Sequence, residues 1–161
     1  MGYRNKTYVA FDGDKDMWAY SFMKGWKALD NIDFNFHDAH SIQELTSRAE
    51  SESYIKRILR ERLDNSKEFI ILLGEDTKRL RKYVQWEIEI AMEMDLPIIV
   101  VNLNKKNRLD YENCPVPLRN HTCIHGPFKK DYILKAMEDF TPKYKRYKNQ
   151  FTGDLYYSMF D

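Results

Sequence analysis

The sequence Phe-Ile-Ile-Leu-Leu-Gly at residues 69–74 is an uninterrupted apolar run that ends in a glycine. A second strongly apolar run, residues 98–103, follows Pro97. Strands that are buried on both faces of a parallel sheet have such sequences, because helices cover each face and neither face alternates with polar residues. The two runs therefore predict the central strands of a parallel sheet.

Segments with strand and helix patterns alternate on both sides of these two runs. Strands are predicted at residues 7–11, 32–36, 69–74, 98–103 and 121–125, and helices at 16–29, 51–64, 77–94 and 128–140. Such alternation requires crossover connections, and it predicts an α/β fold with a mainly parallel sheet between two layers of helices. We expect a flavodoxin-like three-layer sandwich with five parallel strands in the order 2-1-3-4-5.

Composition indicates one domain without a large charged surface. The 161 residues contain 26 basic and 25 acidic side chains, so bulk nucleic-acid binding is not expected. No apolar run approaches the roughly 20 residues that span a bilayer, and two cysteines are too few for a disulfide framework. We expect a cytoplasmic domain over residues 1–140, with an aromatic and basic tail, residues 141–161, packed on it or extending from it.

Candidate ligand-binding residues follow the first two strands. In a doubly wound sheet, ligands bind beyond the carboxyl ends of the strands, near the switch point between strands 1 and 3. Strand 1 brings Phe11 and Asp12 to this edge, and strand 2 brings His37 and Asp38. Ordinary turn and capping roles explain any single one of these residues equally well.

The third predicted helix contains three glutamates with different positions around its axis. With 100° per residue and Val84 at the centre of the apolar stripe, Glu87 lies about 60° from the centre. Glu89 and Glu93 lie about 140° and 180° away, on the solvent side. Glu87 is therefore expected at the border of the buried face.

The neighbours of Glu87 allow two interpretations. It lies close to the aromatic residues Tyr83 and Trp86, and partial burial would raise the pKa of its carboxyl and suit it to acid–base work or to contact with a developing cation. A salt bridge to Arg81 or Lys82 is the alternative explanation for a glutamate at this position.

Residues 82–89, Lys-Tyr-Val-Gln-Trp-Glu-Ile-Glu, follow a strand that ends in Leu-Leu-Gly, and they resemble the glutamate region of the TIR domain family. Many TIR domains have an aromatic residue four positions before the glutamate, and Tyr83 takes that position here in place of the more usual Trp. Tyr-Val-Ala-Phe-Asp at 8–12 resembles the first strand of the family, and Phe-His-Asp-Ala at 36–39 resembles the end of its second. The resemblance covers about residues 7–140 and is closest to the bacterial branch that includes the Thoeris anti-phage defence proteins.

The resemblance implies cleavage of NAD⁺ at the nicotinamide–ribose bond, in some members with cyclisation of the ADP-ribose into a signal for a downstream effector. Glu87 is the catalytic residue that it implies, and NAD⁺ is a substrate and not a cofactor. The substrate-binding positions would be Phe11, Asp12, His37, Asp38, Tyr83 and Trp86, with Phe11 and Trp86 stacking on nicotinamide or adenine. In related enzymes the site is complete only when protomers stack, so self-association through TIR–TIR contacts is expected.

Three alternatives remain open. His121, Cys123 and His125 alternate along the fifth strand with Cys114 nearby, but a single short alternation is weak evidence for zinc, and we expect no metal. A non-enzymatic TIR assembly module would have the same fold. So would an enzyme like the nucleoside deoxyribosyltransferases, which also use a glutamate near a sugar. Neither a membrane nor a nucleic acid is expected as a partner.

Overall fold

The computed structural model of the chain describes residues 6–13, 15–30, 36–37, 51–77, 83–150 and 154–156. The strands are β1 (Lys6–Ala10), β2 (Phe36–His37), β3 (Ser66–Leu73), β4 (Ile98–Asn102), β5 (Cys123–Pro127) and β6 (Asp154–Tyr156). The helices are α1 (Met17–Asp30), α2 (Glu52–Asp64), α3 (Tyr83–Glu93), α4 (Val116–Arg119), α5 (Lys130–Lys135) and α6 (Thr141–Gln150). A π-helical turn, Ala136–Phe140, joins α5 to α6.

The strands form one sheet in the order β2-β1-β3-β4-β5-β6, and every neighbouring pair is parallel. Four strands of five to eight residues occupy the middle, while β2 and β6 at the edges have two and three residues. The predicted α/β class is confirmed, and the first five strands have the predicted order. The predicted count of five is wrong, because the short strand β6 pairs with β5 at the edge of the sheet.

Alternation along β1 divides the core into two layers. Tyr8 and Ala10 point to the face that α2 and α3 cover, and Val9 and Phe11 point to the face that α1, α5 and α6 cover. Both layers are closely packed with buried apolar side chains. Residues that are neighbours in β1 therefore lie on opposite sides of the sheet.

The helical segment after β5 is longer than the sequence analysis predicted. Its predicted end at Phe140 is wrong, because the chain passes through the π-helical turn and continues as α6 to residue 150. Phe140 and Tyr147 stack with ring centroids 6.1 Å apart, and the buried Tyr144 lies beside Phe140. These rings pack α6 against the sheet, and Pro142 lies in the first turn of the helix, where a proline is tolerated.

None of the helices in the described ranges is both long and apolar enough to cross a membrane.

Candidate functional site

Glu87 lies in the first half of α3, between that helix and β1, and its side chain has no exposed surface. Tyr8 in the middle of β1 donates a hydrogen bond from its hydroxyl to Glu87 Oε2 at 2.5 Å. The Tyr8 ring is held in place by stacking on Phe69 of β3, with centroids 5.6 Å apart. Glu87 Oε1 has no hydrogen-bond partner within the described part of the chain.

The surroundings of Glu87 determine its protonation state. Burial raises the pKa of its carboxyl from 4.5 to about 8, and the hydrogen bond from Tyr8 opposes that rise only in part. Glu87 is therefore mostly neutral at pH 7, where it can donate a proton as well as accept a hydrogen bond.

Packing on both sides of α3 explains the burial of Glu87. Val84 and Ile88 belong to the apolar layer against the sheet, and Glu87 lies on the same side of the helix. On the neighbouring side, Lys56 of α2 lies over the Trp86 ring at 5.3 Å from its centroid. Glu87 is thus fully buried and not at a border, which corrects the sequence prediction. The predicted alternative was a salt bridge to Arg81 or Lys82, whose side chains lie outside the described residues.

Phe11 does not lie with Glu87. It belongs to the other face of the sheet, is fully buried, and stacks on Tyr20 of α1 with centroids 4.9 Å apart. The expected stacking of Phe11 on a ligand is incompatible with this position, because its ring has no free face. The reason is the two-residue period of β1, which places Tyr8 and Phe11 on opposite faces.

Of the other residues predicted to bind the substrate, the structure describes the side chains of Trp86 and Asp12 only. Trp86 is half-buried at the contact between α2 and α3. Asp12 is almost fully buried in the turn after β1, where its Oδ1 accepts a hydrogen bond from the backbone N–H of Lys15 at 3.3 Å. Asp38 lies outside the described residues. The backbones of His37, which pairs with Tyr8, and of Tyr83, the first residue of α3, are placed, but their side chains are not described.

Sequence reasoning did not identify the contact between Tyr8 and Glu87. It quoted this tyrosine only as part of a strand, although a hydroxyl in the centre of a buried strand needs a hydrogen-bond partner.

The residues considered for zinc form a buried contact in β5. Cys123 Sγ lies 3.3 Å from His125 Nε2, and both side chains are fully buried. In the ranges that the structure describes, no group of three or more His, Cys, Asp or Glu side chains is arranged to hold a metal ion.

The parallel sheet in this order, with helices on both faces, places the chain in the class of flavodoxin-like α/β domains. A family model described as Thoeris protein ThsB, TIR-like domain, matches residues 8–108, which is more than half of the chain. The chain belongs to this family, and the resemblance seen in the sequence is confirmed. The match includes Tyr8 and Glu87 and ends before α4.

Proposed function

We propose that this domain cleaves NAD⁺ at the nicotinamide–ribose bond as part of anti-phage defence, and that Glu87 is its catalytic residue. Membership of the Thoeris ThsB family supports a role in defence. The observation that carries the chemical part is the state of Glu87, a fully buried carboxyl with a raised pKa and one oxygen without a hydrogen-bond partner in the described part of the chain. Such groups are concentrated at functional sites.

The reaction uses a carboxyl in this state directly. Nicotinamide leaves with the bonding electron pair, which neutralises its pyridinium charge, and the ribose becomes oxocarbenium-like at C1′. An ionised Glu87 stabilises that positive charge or holds a ribose hydroxyl through Oε1. Water then attacks C1′ and loses a proton to give ADP-ribose, or a nitrogen of the adenine attacks instead and gives a cyclic product.

Protonation of Glu87 sets the pH at which the reaction runs. The free domain holds Glu87 mostly neutral at pH 7. A bound pyridinium cation favours the ionised carboxylate and lowers its pKa. Only the ionised fraction of the free protein binds the substrate productively, so the rate rises with pH as that fraction grows.

Access to Glu87 requires a change from the structure described here, since its side chain has no exposed surface. We propose that self-association supplies this change, with one protomer completing the site of another. The rate per protomer then rises with protein concentration, and the product serves as a nucleotide signal to a downstream effector.

Cleavage of 1,N6-etheno-NAD⁺, read as fluorescence over a range of protein concentrations, tests the proposal. Glu87→Gln keeps the size of the side chain and an acceptor for the Tyr8 hydroxyl, and it should reduce the rate by at least about a hundredfold. Glu89→Gln is the matched control, because Glu89 is exposed on the same helix two residues away, and it should keep the wild-type rate. Equal rates for wild type and Glu87→Gln would contradict the proposed role.

A non-enzymatic assembly module is the second candidate, and the complete burial of Glu87 together with its bond to Tyr8 favours it. Absence of turnover at every protein concentration, with self-association intact, would support that candidate. Exchange of free bases on deoxynucleosides, with NAD⁺ unchanged, would instead indicate deoxyribosyltransferase chemistry.

A further inference from the structure

A cavity of about 210 Å³ lies at the carboxyl edge of the sheet, between the ends of β3 and β4. Its polar lining comes from three parts of the chain: Asp16 before α1, Gly74 and Glu75 after β3, and Asn104 and Asn113 in the loop after β4. Two leucines, Leu73 and Leu103, complete the wall. Glu87 does not line this cavity, so it is separate from the site proposed above.

Asp16 is the buried charged group of this cavity. Asp16 is only 8% exposed, and its Oδ2 has no hydrogen-bond partner among the residues that the structure describes. A Cβ atom at Gly74 would lie 2.2 Å from this oxygen, which is far below contact distance. Glycine at position 74 is therefore required for the Asp16 carboxyl to occupy its place.

The opposite wall of the cavity is held in position by Asp110, which is almost fully buried. Its Oδ2 accepts hydrogen bonds from Asn104 Nδ2 at 2.8 Å and from Asn113 Nδ2 at 3.0 Å. Asn102 at the end of β4 donates to two backbone carbonyls of the same loop. The cavity is thus pre-formed and does not depend on a loop closing over a ligand.

The charges around the cavity favour a cation. Burial, followed by repulsion from Asp12, raises the pKa of Asp16 to about 6; a hydrogen bond from Thr77 opposes this, and Asp76 adds further repulsion. Lys15 acts in the opposite direction, but it is exposed and already forms an ion pair with Asp76. Asp16 is therefore mostly ionised at neutral pH while it lies in a negative environment, where a bound cation with an N–H donor would relieve the cost of its burial.

We propose that this cavity binds a small organic cation, whose ammonium group donates hydrogen bonds to Asp16 while its carbon chain packs on Leu73 and Leu103. The volume limits the ligand, since a cavity of about 150 Å³ can hold a benzene ring and pockets for drug-sized ligands are roughly 300–1,000 Å³. A phosphate or carboxylate is excluded, because it would lie against Asp16 and Glu75. The proposal does not depend on NAD⁺ cleavage.

A titration of the ¹⁵N-labelled protein, followed by amide NMR shifts, tests this proposal with three probes of the same length. They are n-butylamine, a cation at neutral pH, butan-1-ol, which is neutral, and butyrate, an anion. Butylamine should shift the amides of Gly74, Glu75 and Asn113 at millimolar concentration. Butanol should bind at least about tenfold more weakly, because it lacks the charge-assisted hydrogen bond, and butyrate should leave these amides unshifted.

Variants show whether Asp16 is responsible. Asp16→Asn keeps the shape of the side chain but removes its charge, and it should weaken butylamine binding by about tenfold to a hundredfold. Gly74→Ala should do the same by displacing the Asp16 carboxyl. Glu138→Gln, which removes an exposed charge on the π-helical turn, should bind as the wild type does.

Unchanged butylamine shifts in a folded Asp16→Asn variant would overturn the proposal, as would butyrate binding equal to that of butylamine. Asp16→Asn is the decisive variant even if Gly74→Ala does not fold, since an uncharged side chain is easier to bury than a charged one. The readout is binding and not turnover, so failure here and failure of the NAD⁺ proposal are distinguished.

Discussion

Glu68 and Glu87 are both fully buried glutamates, but their hydrogen bonds differ. On β3, Glu68 Oε2 accepts from Thr7 at 2.7 Å and Oε1 accepts from Thr141 at 3.0 Å, with Lys67 Nζ 3.9 Å from Oε2. On α3, Glu87 has one hydrogen bond, from Tyr8, and its Oε1 has no partner within the described ranges.

The two buried carboxyls therefore differ in how far hydrogen bonds offset the cost of their burial. The hydrogen bonds to Glu68 join β1, β3 and the start of α6. Contacts between three elements therefore offset the free-energy cost of burying its carboxyl. Burial raises the pKa of both groups, but among the described residues only Glu68 has a second partner that offsets the cost. A buried polar atom without a partner destabilises the fold, and proteins retain such atoms mainly where function needs them.

The largest expected effect is on stability as a function of pH. The pKa of Glu87 is about 8 in the folded protein and near 4.5 in the unfolded chain, so the folded state binds the proton more tightly. Its contribution to stability therefore falls as pH rises from 4.5 to about 8, by a few kcal/mol at about 1.4 kcal/mol for each unit of pKa. Glu87→Gln has no carboxyl to ionise, so its stability should not fall in this way. Chemical denaturation at several pH values should show that the variant is more stable than the wild type above pH 8.

Glu68→Gln is the comparison for this experiment, because its hydroxyl partners can bond to an amide as well. Its free energy of unfolding should change by only about 1 kcal/mol. Parallel curves of stability against pH for the wild type and Glu87→Gln would mean that the pKa of Glu87 stays near 4.5 in the folded protein, contrary to our expectation.

Two neighbouring residues of β1 sharpen the comparison. Tyr8→Phe removes the only described hydrogen bond to Glu87 and should cost about 1–3 kcal/mol in unfolding free energy. Since that bond lowers the pKa of Glu87, its loss should also move the dependence of kcat/KM on pH to higher pH. Thr7→Val removes a bond to Glu68 and should cost a similar energy without moving the pH dependence. A shift of the pH dependence in Thr7→Val but not in Tyr8→Phe would reverse our assignment of the two glutamates.

The smallest effect is expected at an exposed carboxyl. Glu93 on α3 lies 3.4 Å from Arg60 of α2, with side chains that are 62% and 50% exposed. Glu93→Gln should change the unfolding free energy by less than about 0.5 kcal/mol, because water and salt screen such pairs. A larger loss, measured by chemical denaturation at neutral pH, would mean that contacts between α2 and α3 contribute to the burial of Glu87 more than the packing indicates.

Much of the fold was predictable because its signals are local. The apolar runs of β3 and β4 and the stripe of Ile55, Leu59 and Leu63 on α2 follow directly from burial. The extension to residue 150 was missed because Pro142 resembles a helix boundary, although Phe140, Tyr144 and Tyr147 have helical spacing. The strand β6 has three residues, too few for a period to be read.

The candidate site was less predictable, because it depends on contacts between distant residues. The helical angle identified Glu87 correctly among three glutamates of α3 as the one nearest the apolar stripe. Its complete burial depends on α2 and on Tyr8, which lies 79 residues earlier in the sequence. The two-residue period of β1 predicts that Phe11 and Tyr8 lie on opposite faces of the sheet. It does not predict which helices cover each face, because the crossover connections determine that.

The most direct test of the central claim is kcat/KM for NAD⁺ against pH, between about pH 6 and pH 9, because this ratio reports the ionisation of the free enzyme. We expect kcat/KM to rise about tenfold per pH unit below pH 8 and to level off above it, because Glu87 is half ionised at about pH 8. A profile that is flat over this range, as an ordinary glutamate with a pKa near 4.5 would give, would contradict this expectation.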